Sequence, residues 1–94
     1  MITKRHVTKR AEALGVTVAF LKDSGKALRG TIYHEIILTA PEGQVFAGLD
    51  IHEVVISSPA DGAPMEALYE PALRDLALGL EACPDAACEW CERI

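Results

Sequence analysis

The chain has almost no positive charge beyond its first third. After residue 30 only Arg74 and Arg93 are cationic, against twelve Asp or Glu, a net of −10; residues 1–30 carry seven Lys or Arg against two acids, a net of +5. Tight nucleic-acid binding works through counterion release and needs a concentrated cationic surface. The acidic body argues against it, and nucleic acid is not expected as a partner. No apolar run approaches the roughly 20 residues of a membrane helix. The opening MITKRHVTKR has charge but no apolar stretch behind it, unlike a signal peptide. A cytoplasmic location without membrane association is the expectation. Aromatic residues make up 5% of the chain. None interleaves with the basic run at 4–10, so that run has no stacking platform for single strands. The G-x-S-x-G, Walker A, dinucleotide and HExxH patterns are all missing. So is an even cysteine count: three thiols do not close a disulfide framework, which fits a reducing compartment.

What is present is a chain of 94 residues, half of them apolar. That suffices for a single small domain over 1–94 with one modest core. Thr3 suits the cap of a helix from Lys4 to about Leu14, in which Val7, Ala11 and Leu14 form one stripe and Gly15 the stop. The early lysines and arginines of that helix oppose its dipole and do not serve its stability. VTVAFLK (16–22) alternates as a strand, and DSGK (23–26) reads as a turn. TIYHEIILT (31–39) is a second strand, with Ile32, His34, Ile36 and Leu38 on one face and Tyr33, Glu35, Ile37 and Thr39 on the other. APEG (40–43) suits a turn with Pro41 second and Gly43 fourth. QVFA (44–47) is a third strand, which IHEVVIS (51–57) resumes or follows as a fourth. After the SPADGAP loop, MEALYE (65–70) makes a helical turn or two. Pro71 then opens a second helix, PALRDLALGLEA, burying Leu73, Leu76 and Leu80 beside Ala72 and Ala77.

The expected fold is therefore α+β, in the order α-β-β-β-α. It has an antiparallel sheet of three or four strands with both helices on one face. A cysteine-bearing appendix at 82–94, including a short C-terminal helix, completes it. The second strand is apolar on both faces, while one helical layer covers a single side. A second copy of the chain is the simplest lid, so a homodimer is expected.

The element order resembles the double-stranded RNA-binding domain, whose last helix docks on phosphates through a lysine cluster. The matching stretch here, PALRDLALGLE, holds one Arg and two acids, so the phosphate-binding face is lacking. APEGQVFAGLDIHEVV together with GLEACPDAACEWC resembles small uncharacterised proteins encoded by phages and prophages, over about Ala13 to Cys91. That resemblance implies a bacterial or phage setting and carries over no activity or functional residue.

Two constellations could carry chemistry. Cys83, Cys88 and Cys91 hold every thiol. Three sulfurs and one histidine, from His6, His34 or His52, would make a Cys3His zinc site. Reduced thiols packed beside Trp90, or a disulfide or redox pair, fit the spacing too. Catalytic use is disfavoured, because Asp85, Glu89 and Glu92 surround the thiols and oppose thiolate formation. His34 and His52 are each followed by Glu, an arrangement open to acid–base chemistry. With a tight turn at 41–42, His34 should lie opposite about Leu49. The expected function is a small non-enzymatic protein-interaction module with a protein partner and no catalytic residues. It needs no cofactor. One alternative is a zinc-stabilised module; another is an acid–base enzyme using His34 or His52.

Overall fold

A computed structural model describes residues 2–26, 32–59, 62 and 64–84. Helix α1 spans Lys4–Leu14 as its stripe predicts, with Val7 and Ala11 fully buried. Thr3 caps it: its hydroxyl accepts from the His6 amide, and the Thr3 amide donates to His6 Nδ1 at 3.0 Å. Gly15, at φ 78°, ends it. The Gly15 amide reaches the Glu12 carbonyl and the Val16 amide the Ala11 carbonyl, the paired bonds of a left-handed helix stop.

Strands β1 (Thr17–Lys26), β2 (Ile32–Thr39) and β4 (Glu53–Pro59) form an antiparallel sheet in the order β1-β2-β4. The α+β class and the three-stranded sheet agree with expectation. The inner face is built from cross-strand rows, Val18–Leu38–Val54 and Phe20–Ile36–Ile56. Val7, Ala11, Met65, Leu68, Tyr69, Ala72 and Leu76 pack into the same core. Both helices thus share one side of the sheet. Phe20 meets Tyr69 edge-on, ring centroids 6.1 Å apart, and the Lys4 ammonium lies 4.8 Å from the Phe20 centroid, within reach of a cation–π contact.

Several local expectations are corrected. DSGK does not turn: β1 runs on to Lys26, and a bulge takes up the extra residues between Leu21, which faces Glu35, and Gly25, which faces Tyr33. Continued pairing with Tyr33 and Ile32 outweighs the local turn chemistry. The turn after β2 lies one residue later than its composition suggested. The Gln44 amide bonds the Pro41 carbonyl, and Gly43 takes φ 79° at the third position, where a type II turn needs glycine. β3 is short, Gln44–Phe46, and leaves the main sheet. Left-handed residues at Gly48 and Asp50 turn the chain back, Ile51 makes only a bridge to Phe46, and β4 begins at Glu53.

The second helix differs most. A 3-10 turn at Met65–Leu68 leads directly into α2, Tyr69–Leu76. Pro71 therefore lies inside the first turn rather than opening the helix, and no intrahelical partner for its nitrogen is needed there. Tyr69, Ala72 and Leu76 are the buried positions; Leu73 is half-buried and Ala77 is exposed. The helix does not reach residue 82. It ends at Leu76, Gly79 at φ 78° turns the chain, and Leu80–Ala82 form β5, antiparallel to β3. Ala82 therefore belongs to a strand rather than to an appendix. The expected C-terminal helix lies outside the described residues. No described helix is long and apolar enough to cross a membrane.

A Cβ at Gly79 would meet no atom within 4 Å, so the cost of a side chain there is conformational alone. Gly79→Ala should lower stability by about 1 kcal/mol, measured by denaturant unfolding. An unchanged midpoint would mean that the left-handed turn does not need glycine.

Candidate functional site

The β3–β5 ribbon sets the site. Its register is Gln44–Ala82, Val45–Glu81 and Phe46–Leu80. The Ala47 amide bonds the Gly79 carbonyl at one end (3.0 Å), and the Cys83 amide bonds the Gly43 carbonyl at the other (2.9 Å). Phe46 has no exposed surface and belongs to the main core. The ribbon is thereby anchored to the rest of the molecule, and Cys83 is fixed at its end, half-buried.

His52 enters from the other side. Its carbonyl accepts from the Ala40 amide at 2.8 Å, just beyond the Thr39–Glu53 pair that ends the β2–β4 ladder. Its ring crosses to the ribbon, with Nδ1 2.9 Å from the Gln44 carbonyl and Nε2 3.6 Å from Cys83 Sγ. A carbonyl oxygen only accepts, so Nδ1 carries the proton. In the neutral ring Nε2 then presents a lone pair to the thiol. The arrangement can share a thiol proton between sulfur and nitrogen, or offer sulfur and nitrogen together to a third group.

The other predicted residues are placed differently. His6 serves the α1 cap through Nδ1. His34 lies on the core face of β2, 4% exposed, opposite Ser58 and not Leu49. This correction follows from β4, rather than β3, being the neighbour of β2. His34 and His52 consequently sit at opposite ends of the β2–β4 ladder. The hydroxyl of Ser58 is buried and has no hydrogen-bond partner among the described residues. Cys88 and Cys91 lie outside the described residues. Among the described residues, no three His, Cys, Asp or Glu side chains gather as a metal cluster.

Of the three histidines that the sequence offers as partners to the cysteines, His52 is the one beside Cys83, and Gln44, which acts through its backbone carbonyl, carries no side-chain signal. The signal for the ribbon is Gly79, which the apolar stripe of 71–82 places inside a helix and which instead takes φ 78°. A second surface lies on α1, where an open depression of about 510 Å³ is lined by Lys4, Arg5, Thr8, Lys9 and Glu12. Its three cations and one acid would favour an acidic group.

Compared with known proteins, no family model, curated protein or solved structure matches the chain.

The Nδ1–Gln44 bond fixes a tautomer that can be read directly. In nitrogen-15 spectra recorded with the ring neutral, His52 should show a protonated Nδ1 and an unprotonated Nε2. The opposite tautomer would contradict the Gln44 contact.

Proposed function

We propose that the chain is a small non-enzymatic protein-interaction module that works as a homodimer through the face of its main sheet opposite the two described helices. The observation that carries this reading is the cross-strand row Ala19–Ile37–Val55, with Val55 52% exposed. Both helices occupy the opposite face. Leu21 and Tyr33, on the same side as the row, are half-buried. An apolar row in the middle of a sheet loses water-exposed surface when another surface covers it.

A second copy suits this face because a two-fold axis sets the central row against its own image, so one apolar stripe serves both sides.

Two features argue against a role on duplex RNA. The last described helix, α2, carries Glu70 in its first turn, and its one cation, Arg74, lies 3.6 Å from that same Glu70. A helix with an acid in its first turn repels phosphate at the place where a cationic cluster would be needed. The buried position of His34 argues likewise against acid–base catalysis there, since substrate would have to reach the core side of the sheet.

Light scattering at micromolar concentration should give about twice the 10.1 kDa chain mass. Val55→Glu should give the monomer with an unchanged far-ultraviolet spectrum, because the side chain lies outside the core. A monomeric unmodified chain, or a dimer indifferent to Val55→Glu, would overturn the reading.

A further inference from the structure

We propose that Cys83 is an oxidant-sensitive modification site, its thiol activated by His52 and converted by hydrogen peroxide to the sulfenic acid. The proposal is independent of the dimer reading. A nucleophile, a base in contact with it and a third group that orients the base form the arrangement by which folded proteins activate a side chain. All three are among the described residues. Cys83 Sγ lies 3.6 Å from His52 Nε2, and His52 Nδ1 lies 2.9 Å from the Gln44 carbonyl. The carbonyl keeps the proton on Nδ1 and leaves the Nε2 lone pair for the thiol.

The backbone sets both partners before any reagent arrives. The Cys83 amide donates to the Gly43 carbonyl at 2.9 Å, and the His52 carbonyl accepts from the Ala40 amide at 2.8 Å. Gly43 and Gln44 are adjacent, so one short piece of backbone holds the sulfur and aims the ring. Little remains to be ordered when the proton moves. Cys83 is half-buried, so its sulfur meets solvent through a restricted opening. After residue 30 acids outnumber cations twelve to two, which disfavours an anionic reagent such as glutathione disulfide. Hydrogen peroxide is small and uncharged. Proton transfer inside the pair leaves its net charge at zero, and acids that oppose a lone thiolate favour the imidazolium beside it.

In the step itself, Nε2 takes the thiol proton as sulfur attacks one peroxide oxygen. The S–O bond forms and the O–O bond breaks. The second oxygen leaves as hydroxide, takes the proton from Nε2 and becomes water. Sulfur is oxidised by two electrons to the sulfenic acid, the first and reversible stage of thiol oxidation, and the peroxide is reduced. His52 returns to its neutral form with Nδ1 still on the Gln44 carbonyl. The reaction is one modification per chain and involves no turnover.

The full chain, purified reduced, is treated with hydrogen peroxide at pH 7. Sulfenic acid is trapped with dimedone and located at Cys83 by fragmentation mass spectrometry. A free thiol is only a few per cent ionised at pH 7, so Cys83 in the folded chain should react about 10-fold faster than in the urea-unfolded chain. In His52→Asn the side-chain amide can still donate to the Gln44 carbonyl, but no base faces the sulfur. That variant should react no faster than the unfolded chain, while the Cys83 and Ala47 amides keep the slow hydrogen exchange of an intact ribbon. Equal or slower oxidation of Cys83 in the folded unmodified chain would overturn the proposal, a comparison that needs no variant. So would a His52→Asn chain with an intact ribbon that oxidises as fast as the unmodified one. If His52→Asn loses the ribbon, the comparison of folded with unfolded chain decides alone.

Discussion

Gly79 holds φ at 78°, a conformation that any residue with a Cβ adopts only at a cost. The turn it makes directs the chain from Leu80 to Cys83. Leu80–Ala82 then run along β3 instead of continuing a helix, and the Cys83 amide bonds the Gly43 carbonyl. The ribbon is short, and three paired residues would not hold together in isolation. It persists because Phe46 is buried in the main core, where a phenylalanine side chain contributes about 1.5–3 kcal/mol by leaving water. The placement of Cys83 beside His52 follows from a backbone turn and an aromatic anchor more than from any attraction between the two side chains.

The parts of the fold that could be read from sequence are those governed by local pattern. Thr3, the Val7–Ala11 stripe and Gly15 define α1 almost to the residue. The alternation in β2 separates Ile36 and Leu38 from Ile37 without ambiguity. The rest depends on partners distant in sequence. Leu80–Glu81–Ala82 carries no strand signal and becomes a strand only because β3 offers free backbone groups. Asp23–Lys26 has turn composition and is extended because Ile32 and Tyr33 pair with it. β3 has strand composition yet leaves the sheet, because glycines at 43 and 48 redirect the chain on either side of it. The site shares this limit. Cys83 and His52 are each conspicuous in sequence, but their proximity is a product of the ribbon, and Gln44 acts through a carbonyl that no sequence pattern marks.

Two features lie apart on the molecule. The outer face of the β1-β2-β4 sheet carries the apolar row Ala19–Ile37–Val55, and the ribbon carries Cys83 Sγ beside His52 Nε2. His52 directly precedes Glu53, the first residue of β4, and so joins the two. The acidic character of the chain after residue 30 leaves the cationic face of α1 distinct.

The pairing of β5 with β3 is what sets Cys83 beside His52, and amide hydrogen exchange on the intact chain tests that pairing most directly. The Cys83 amide, bonded to the Gly43 carbonyl at 2.9 Å, should exchange far more slowly than it would in an unfolded chain, together with the Ala47 amide at the other end of the ribbon. If Cys83 and Ala47 exchange at unfolded-chain rates while Ile36 and Leu38 remain protected, the ribbon does not hold, and the pairing of His52 with Cys83 falls with it.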